Sequence, residues 1–114
     1  MKAAILFLSL CLPALADLAA GQLALKNGDY ATALKEFLPL AKLGNAVAQS
    51  TLGFMYDRGL GVPQDEKEAA QWFRLAAEQG DAAAQSLLGQ AYYDGRGVPQ
   101  DDQEAMRWFR LAAE

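Results

Sequence analysis

The chain has 114 residues, of which 53% are apolar and 21% charged, and it carries a net charge of −4 and no histidine. This length is enough for one small domain. The acidic balance argues against a nucleic-acid-binding protein and against binding to anionic lipid surfaces, because both depend on clustered basic residues.

The first sixteen residues are typical of a secretory signal peptide. Lys2 gives a positive start, residues 3–12 are almost uninterruptedly apolar, and residues 13–16 end in the pattern A-x-A. The apolar run is shorter than the roughly 20 residues that a membrane span needs. We therefore predict cleavage after Ala16 and export to the periplasm or the medium.

Two alternatives to free release stay open, lipidation at Cys11 and a retained signal anchor. Lipoprotein processing at Cys11 requires a small residue immediately before the cysteine, and this position is Leu10. Cleavage after Ala16 would leave residues 17–114, whose charge is −5 because Lys2 is lost, and which contain no cysteine. We expect no disulfides, so the domain must be stabilised by packing alone.

The rest of the chain repeats itself. Residues 48–78 align with residues 84–114 without a gap, at an offset of 36 residues and with 21 of 31 positions identical. A more diverged copy precedes them, in which Ala33, Phe37 and Ala41 lie 36 residues before Ala69, Phe73 and Ala77. We predict three repeats, at about residues 17–44, 45–80 and 81–114, which is the number needed to bury a continuous core.

Each repeat is predicted to form two helices. In the second helix, the apolar residues Ala69, Trp72, Phe73, Ala76 and Ala77 follow a helical period. Asp65 with Glu68 marks its start as a capping box, and Gly80 marks its end. No stretch alternates like a β-strand, so the predicted fold is all-α, a short right-handed α/α solenoid.

The sequence "GVPQD" occurs at residues 61–65 and again at 97–101, each time after a further glycine. A phosphate-binding loop would need a preceding strand and either a third glycine or a Lys-Ser/Thr pair. Here a helix precedes the loop, and Pro63 forces an extended step. We predict that the loop is a corner between two helices.

The pattern "LG…Y..G.GVPQD...A..WF..AAEQGDA.AQ" resembles the Sel-one-like repeat (SLR) family, which is related to the tetratricopeptide repeats. The resemblance is strong in the last two copies and weak in the first. It implies an interaction scaffold with no shared catalytic residue. Some secreted, cysteine-rich members are linked to β-lactam binding or hydrolysis, but they carry paired cysteines that residues 17–114 lack.

Two acidic clusters, at residues 65–68 and 101–104, could be calcium ligands or paired catalytic carboxylates, but their place at helix starts favours capping. Trp72, Trp108, Phe73 and Phe109 could form a stacking platform, but their helical spacing next to alanines favours a core. We therefore predict no catalytic, cofactor or metal site.

Differences between the two close copies suggest a binding face. In the first helix, the positions that differ form a second stripe, on another face from the matching residues. We predict that this stripe is either plain solvent surface or the inner wall of the solenoid. The candidate partner-binding residues are Thr51, Phe54, Met55, Arg58, Leu87, Gln90 and Asp94.

The predicted function is therefore that of an exported, non-enzymatic scaffold that binds a protein or peptide in the cell envelope. Its alternatives are a small hydrolase or β-lactam-binding protein, and a subunit that only stabilises a larger solenoid. We also expect part of the apolar stripe of the last helix to stay uncovered: Ala105, Met106, Trp108, Phe109, Ala112 and Ala113. This end is a candidate for docking onto a partner solenoid or for self-association.

Overall fold

The computed structural model describes residues 17–114, so the predicted signal peptide and Cys11 lie outside the described residues. These residues form six α-helices and no strand, which confirms the predicted all-α class. The helices are α1 (17–26), α2 (Tyr30–Lys42), α3 (Ala46–Arg58), α4 (Glu66–Glu78), α5 (Ala82–Asp94) and α6 (Asp102–Ala113). Each helix from α2 onward packs on the next along the chain, as in a solenoid of helix pairs.

Side chains that cap helix starts fix the boundaries of these helices. The Asp65 carboxylate accepts a hydrogen bond from the Glu68 N–H at 3.0 Å, and Asn45 and Asp81 cap α3 and α5 in the same way. The expected reciprocal bond of the capping box is not made. The Asp65 N–H donates instead to the Tyr56 carbonyl, and the Glu68 carboxylate accepts from the Trp72 indole at 3.2 Å.

The repeated glycine loop is a corner, as predicted, and it also joins neighbouring repeats. Gly59 ends α3 with a φ of 68°, and Gly61 has a φ of 75°, in the left-handed region that favours glycine. A Cβ on Gly61 would lie 3.0 Å from the Tyr30 carbonyl oxygen. Gly97 approaches the backbone of Glu66 in the same way. The loop therefore needs glycine both to turn and to lie against the second helix of the preceding repeat.

A close approach of glycine and phenylalanine joins the two helices of each repeat. A Cβ on Gly21, Gly53 or Gly89 would lie 2.9, 2.6 or 2.8 Å from the nearest ring atom of the phenylalanine on the following helix. Those phenylalanines are Phe37, Phe73 and Phe109. Only a residue without a Cβ allows the ring to lie against the helix backbone.

The core has two parts, and the boundary between them falls inside the second repeat. The first cluster is built from α1, α2 and α3, with Phe37, Leu52 and Met55 at its centre. The second is built from α4, α5 and α6, with Phe73, Leu88 and Trp108 at its centre.

Each stacking junction also contains a buried glutamine. The Gln49 amide donates to the Ala41 carbonyl at 3.1 Å, and the Gln85 amide donates to the Ala77 carbonyl at the same distance. Each of these carbonyls, in the last turn of the preceding repeat's second helix, also accepts a backbone N–H, from Gly44 or from Gly80. The glutamine amide is therefore a second donor, which ties the next repeat to the end of that helix.

The aromatic residues belong to the core rather than to an open platform. Trp72 is half-buried against the first cluster, and Trp108 is buried in the second. Their indole groups differ, because Trp72 donates to Glu68 whereas the Trp108 Nε1 has no hydrogen-bond partner. Glu104, which corresponds to Glu68, instead accepts a bond from Arg107 at 2.9 Å.

The expected uncovered stripe on α6 is only partly present. Ala105 and Trp108 are buried, Phe109 and Ala112 are half-buried, and Met106 and Ala113 are exposed. Trp108 is covered because it packs in the second cluster. Ala105 lies against α5, where a Cβ on Gly89 would be 3.2 Å from its carbonyl oxygen.

We expect Gly53→Ala to destabilise the domain even though alanine is the better helix former by about 1 kcal/mol. The added methyl would overlap the buried Phe73 ring, and overpacking typically costs about 1–3 kcal/mol. Combining it with Phe73→Leu should recover part of the loss, so the two changes should be non-additive in urea denaturation. Additive losses would show that the ring and the glycine are not in contact.

We expect Arg107→Gln to stabilise the domain, because glutamine is the residue at the equivalent position 71. Glu104 would then be free to accept from the Trp108 indole, and an unsatisfied buried donor costs about 1–3 kcal/mol. The surface ion pair that is lost contributes less than about 1 kcal/mol. The matched control is Gln71→Arg, which should divert Glu68 from Trp72 and lower the melting temperature. Equal effects of the two swaps would contradict this explanation.

Candidate functional site

A cleft lies at the junction between the second and third repeats. Its cavity volume is about 120 Å³. Its floor is apolar and its rim is polar, and the lining residues are Asp57, Arg58, Glu66, Ala69, Ala70, Phe73, Leu87, Gln90, Ala91 and Arg96. A small apolar floor with a few convergent polar groups is the usual composition of a binding site.

Two small residues account for the cleft. Ala70 of α4 and Ala91 of α5 both line it. In the preceding junction the equivalent positions hold Leu34 and Met55, of which Met55 is buried in the first core cluster and Leu34 packs against that cluster. Replacing two large side chains by two methyl groups leaves space that the surrounding helices do not close. The first junction is therefore filled and the second is open.

The charges at the rim are organised by Arg96. Its guanidinium donates to Asp57 at 3.0 Å and to Glu66 at 3.3 Å, so one arginine of the third repeat holds two carboxylates of the second. Leu60 occupies the equivalent position one repeat earlier and packs against the first core cluster. The polar rim is thus specific to the second junction.

Arg58 is the more available of the two arginines at the rim. Its side chain is 65% exposed, and its ion pair with the neighbouring Asp57 is long, at 3.6 Å. Its guanidinium lies 5.5 Å from the centre of the Phe54 ring, which orients it by a cation–π contact. Most of its donors remain free for an incoming group.

A family model described as the Sel1 repeat matches residues 46–81 and 82–114. The two matched segments cover more than half of the chain. The chain belongs to the Sel1 repeat family. The segments begin one residue after the predicted second and third repeats, and the diverged first repeat lies outside them.

Solved structures agree with this assignment. A crystal structure of a Sel1 repeat protein from Oxalobacter formigenes is 39% identical, with a TM-score of 0.78, over 82% of this chain and 38% of that one. A protective antigen of uropathogenic Escherichia coli strains, which displays an SLR fold, is 40% identical, with a TM-score of 0.82, over 88% of this chain and 22% of that one. The predicted right-handed α/α solenoid is confirmed by these similarities.

This Sel1 repeat chain spans well under half of the length of both solved structures. A search of curated proteins gave no match.

The structure brings three of the predicted partner-binding residues together. Arg58, Leu87 and Gln90 line the cleft, and Asp94 is beside it, where it accepts a hydrogen bond from the Gln90 amide at 2.8 Å. The Phe54 ring lies under the Arg58 guanidinium in a cation–π contact, and it packs against the second core cluster. These contacts place the residues but leave their role in binding as a prediction.

The interpretation of Met55 as a partner contact is wrong, because its side chain is fully buried in the first core cluster. Its variation between copies accompanies a second change across the same junction: Leu34 packs against the cluster that contains Met55, whereas Ala70 lines the cleft together with Ala91. Thr51 does not line the cleft, and its hydroxyl donates to the Val47 carbonyl of its own helix at 2.8 Å.

Seven lining residues were not among the predicted partner-binding residues: Asp57, Glu66, Ala69, Ala70, Phe73, Ala91 and Arg96. For Arg96 the sequence did contain an indication, because the two copies of the loop differ at this position, with Leu60 in the first and Arg96 in the second. Nothing in the sequence alone indicated that Arg96 would reach two carboxylates of the preceding repeat.

In the acidic clusters at the helix starts, Asp65 and Asp101 cap the helices, and Glu66, Glu68 and Glu104 accept hydrogen bonds from other side chains. Within residues 17–114, no group of three acidic, histidine or cysteine side chains is arranged to hold a metal ion. Among the ionisable groups, the hydrogen bond to Glu104 raises the pKa of Arg107, whose guanidinium is already charged at neutral pH. In the same part of the chain, no helix is both long and apolar enough to cross a membrane.

We expect Ala91→Met to fill the cleft and to raise the free energy of unfolding by about 0.5–1 kcal/mol, as cavity-filling substitutions commonly do. Methionine is the residue at the equivalent position 55, so the backbone accommodates it. The reciprocal change Met55→Ala should open a cavity in the first junction and cost about 2–5 kcal/mol. Urea denaturation of both variants tests the pair, and a destabilised Ala91→Met would show that the cleft is not open space.

Proposed function

We propose that this Sel1 repeat protein is an exported scaffold that binds a protein or peptide partner in the cell envelope, and that the cleft between its second and third repeats is the binding site. Repeats of this family generally serve as scaffolds for protein–protein contacts. The observation that carries the proposal is the unfilled junction, whose polar rim has no counterpart in the preceding one.

The size of the cleft supports a peptide side chain as its occupant. Pockets for small-molecule substrates usually measure about 300–1,000 Å³. An enclosed apolar cavity of about 150 Å³ holds a molecule of the size of benzene. The cleft, at about 120 Å³, accommodates one aliphatic or aromatic side chain and leaves the rest of a ligand on the rim.

The rim chemistry supports the same occupant. Gln90 offers a donor and an acceptor, and Arg58 offers donors, so both polar groups of a peptide backbone find partners there. The lining residues include no hydroxyl, thiol, imidazole or amine that would serve as a nucleophile. The two lining carboxylates, Asp57 and Glu66, are both held by Arg96. This composition favours recognition over hydrolysis.

Site-specific photo-crosslinking in the native cell tests the site. With Gln90 replaced by benzoylphenylalanine we expect a discrete crosslinked protein, because this residue is exposed at the edge of the cleft. The same probe at Gln71, an exposed residue of α4 outside the cleft, should not give that product. Ala91→Met combined with the probe at position 90 should reduce the product at least tenfold, since the anchoring side chain is then excluded.

Crosslinking that is equal at positions 90 and 71, or unchanged by Ala91→Met, would place the binding site elsewhere. Turnover of nitrocefin by the purified protein, abolished by Glu66→Gln, would favour the hydrolase alternative. A control variant for that assay is Glu78→Gln, which removes an exposed carboxylate outside the cleft.

Export is tested separately by the mature N-terminus. We expect the protein isolated from the envelope or the medium to begin at Asp17, as measured by intact mass, because the A-x-A pattern ends at Ala16. Cys11→Ser should leave this mass and the location unchanged. A lipid-modified N-terminus at Cys11, or an uncleaved chain in the cytoplasm, would contradict the proposal of free export.

A further inference from the structure

Arg58 is the cation of the cleft that is open to a further anion. The rim has two carboxylates, and Arg96 binds both of them, Asp57 at 3.0 Å and Glu66 at 3.3 Å. Arg58 lies 3.6 Å from Asp57, which is longer than a hydrogen bond, and its side chain is exposed. The two carboxylates are thus satisfied by one arginine, and the second arginine keeps its donors for a ligand.

The Arg58 guanidinium is oriented by a contact that uses none of these donors. It lies over the Phe54 ring, 5.5 Å from the ring centre, so its N–H groups stay available. The two oxygens of a carboxylate match the fork of N–H groups on a guanidinium. A phosphate would bring about two negative charges beside Asp57 and Glu66, with one cation to balance them. The anion that fits Arg58 is therefore a carboxylate.

Gln90 supplies a hydrogen-bond acceptor at the same cleft. Its amide nitrogen donates to Asp94 at 2.8 Å, which fixes the orientation of the amide. The amide oxygen accepts no hydrogen bond from any other group of residues 17–114, and it is free to accept an N–H from a ligand. The cleft therefore combines an apolar cavity, a cation for a carboxylate and an acceptor for a backbone N–H.

The size of the cavity requires that one ligand residue meets all three features. At about 120 Å³ the cavity holds one side chain, and it is smaller than the roughly 150 Å³ that admits benzene, which favours an aliphatic group. In an extended peptide, neighbouring side chains point to opposite faces, so an acidic neighbour would direct its carboxylate away from the cleft. The α-carboxylate of a C-terminal residue is attached to the same Cα as the buried side chain.

We infer that the cleft recognises the C-terminus of the partner protein. The last side chain, which is aliphatic, enters the cavity, its α-carboxylate pairs with Arg58, and its backbone N–H donates to Gln90. This rests on the proposed function, and it identifies which part of the partner is bound. The first junction cannot bind in this way, because the residues at the positions of Arg58, Gln90 and Ala91 are Gln22, Phe54 and Met55.

Peptide pools with a defined C-terminal residue test this recognition. Each pool contains random heptapeptides that end in one fixed amino acid, and each is made with a free carboxylate and as the C-terminal amide. Fluorescence anisotropy with the purified protein should show the tightest binding for free pools that end in valine, isoleucine, leucine or methionine. Amidation should weaken this binding by at least about tenfold, because it removes a charge-assisted hydrogen bond.

Variants of the cleft assign the effect to its residues. In Arg58→Gln, amidation should weaken binding by less than about twofold, because the group that distinguishes a carboxylate from an amide is gone. Arg58 is exposed, so this variant should melt nearly like the natural protein. The control Arg110→Gln removes the same charge from an exposed arginine outside the cleft and should keep the tenfold preference. Ala91→Met should abolish binding of the free pools by filling the cavity.

The other outcomes separate this recognition from the proposed function. Amides that bind as tightly as free peptides, and that Ala91→Met still excludes, would overturn C-terminal recognition and leave the cleft as the peptide site. Binding that Arg58→Gln weakens equally for both forms would indicate an acidic side chain within the peptide and would also overturn it. So would the absence of binding by every pool, if the crosslink at position 90 is obtained. Binding that survives Ala91→Met would contradict both proposals.

Discussion

The close approach of a glycine to a phenylalanine ring within each repeat is the contact on which the other features depend. Because Gly53 has no side chain, Phe73 lies directly against the backbone of α3, and this contact holds the two helices of the repeat together. The same contact recurs at Gly21 and Gly89. It recurs in all three repeats although the connection between the helices is short in the first repeat and a seven-residue loop in the other two, at 59–65 and 95–101.

The two junctions between repeats differ because a few residues differ between the copies. Leu34 and Met55 fill the first junction, whereas Ala70 and Ala91 leave the second one open. Arg96 then ties the rim of the open junction to Asp57 and Glu66. A family that builds scaffolds from one unit can thus vary its binding surfaces by changing side chains at a junction without altering the helices.

Much of the fold could be predicted from the sequence, because its signals are local. The 36-residue period, the capping residues such as Asp65 and the loop glycines each act within a few residues of chain. The candidate site was predictable only in part. The stripe of differences between copies pointed to Arg58, Leu87 and Gln90, which do line the cleft.

The same stripe misplaced Met55, because a position that differs between repeats can face a partner or can compensate for a change in the residue it packs against. To distinguish these two cases, one must know that Met55 packs towards α2 and that Ala91 packs towards α4. These are contacts between residues far apart in the sequence. The contacts of Arg96 are of the same kind, since they connect residues 30 and 39 positions apart.

Because the core has two parts and each is in contact with one tryptophan, tryptophan fluorescence can report on the two parts separately. Trp72 lies against the first cluster and Trp108 within the second. Their fluorescence therefore reports on separate regions, and single-tryptophan versions of the protein can reveal whether the two regions melt together or in sequence. In solenoids, where each unit contacts only its neighbours, stability is close to a sum of unit and junction terms. The two clusters meet inside the second repeat, whose α3 belongs to the first cluster and whose α4 belongs to the second, so this repeat is where cooperativity between the two regions would be decided.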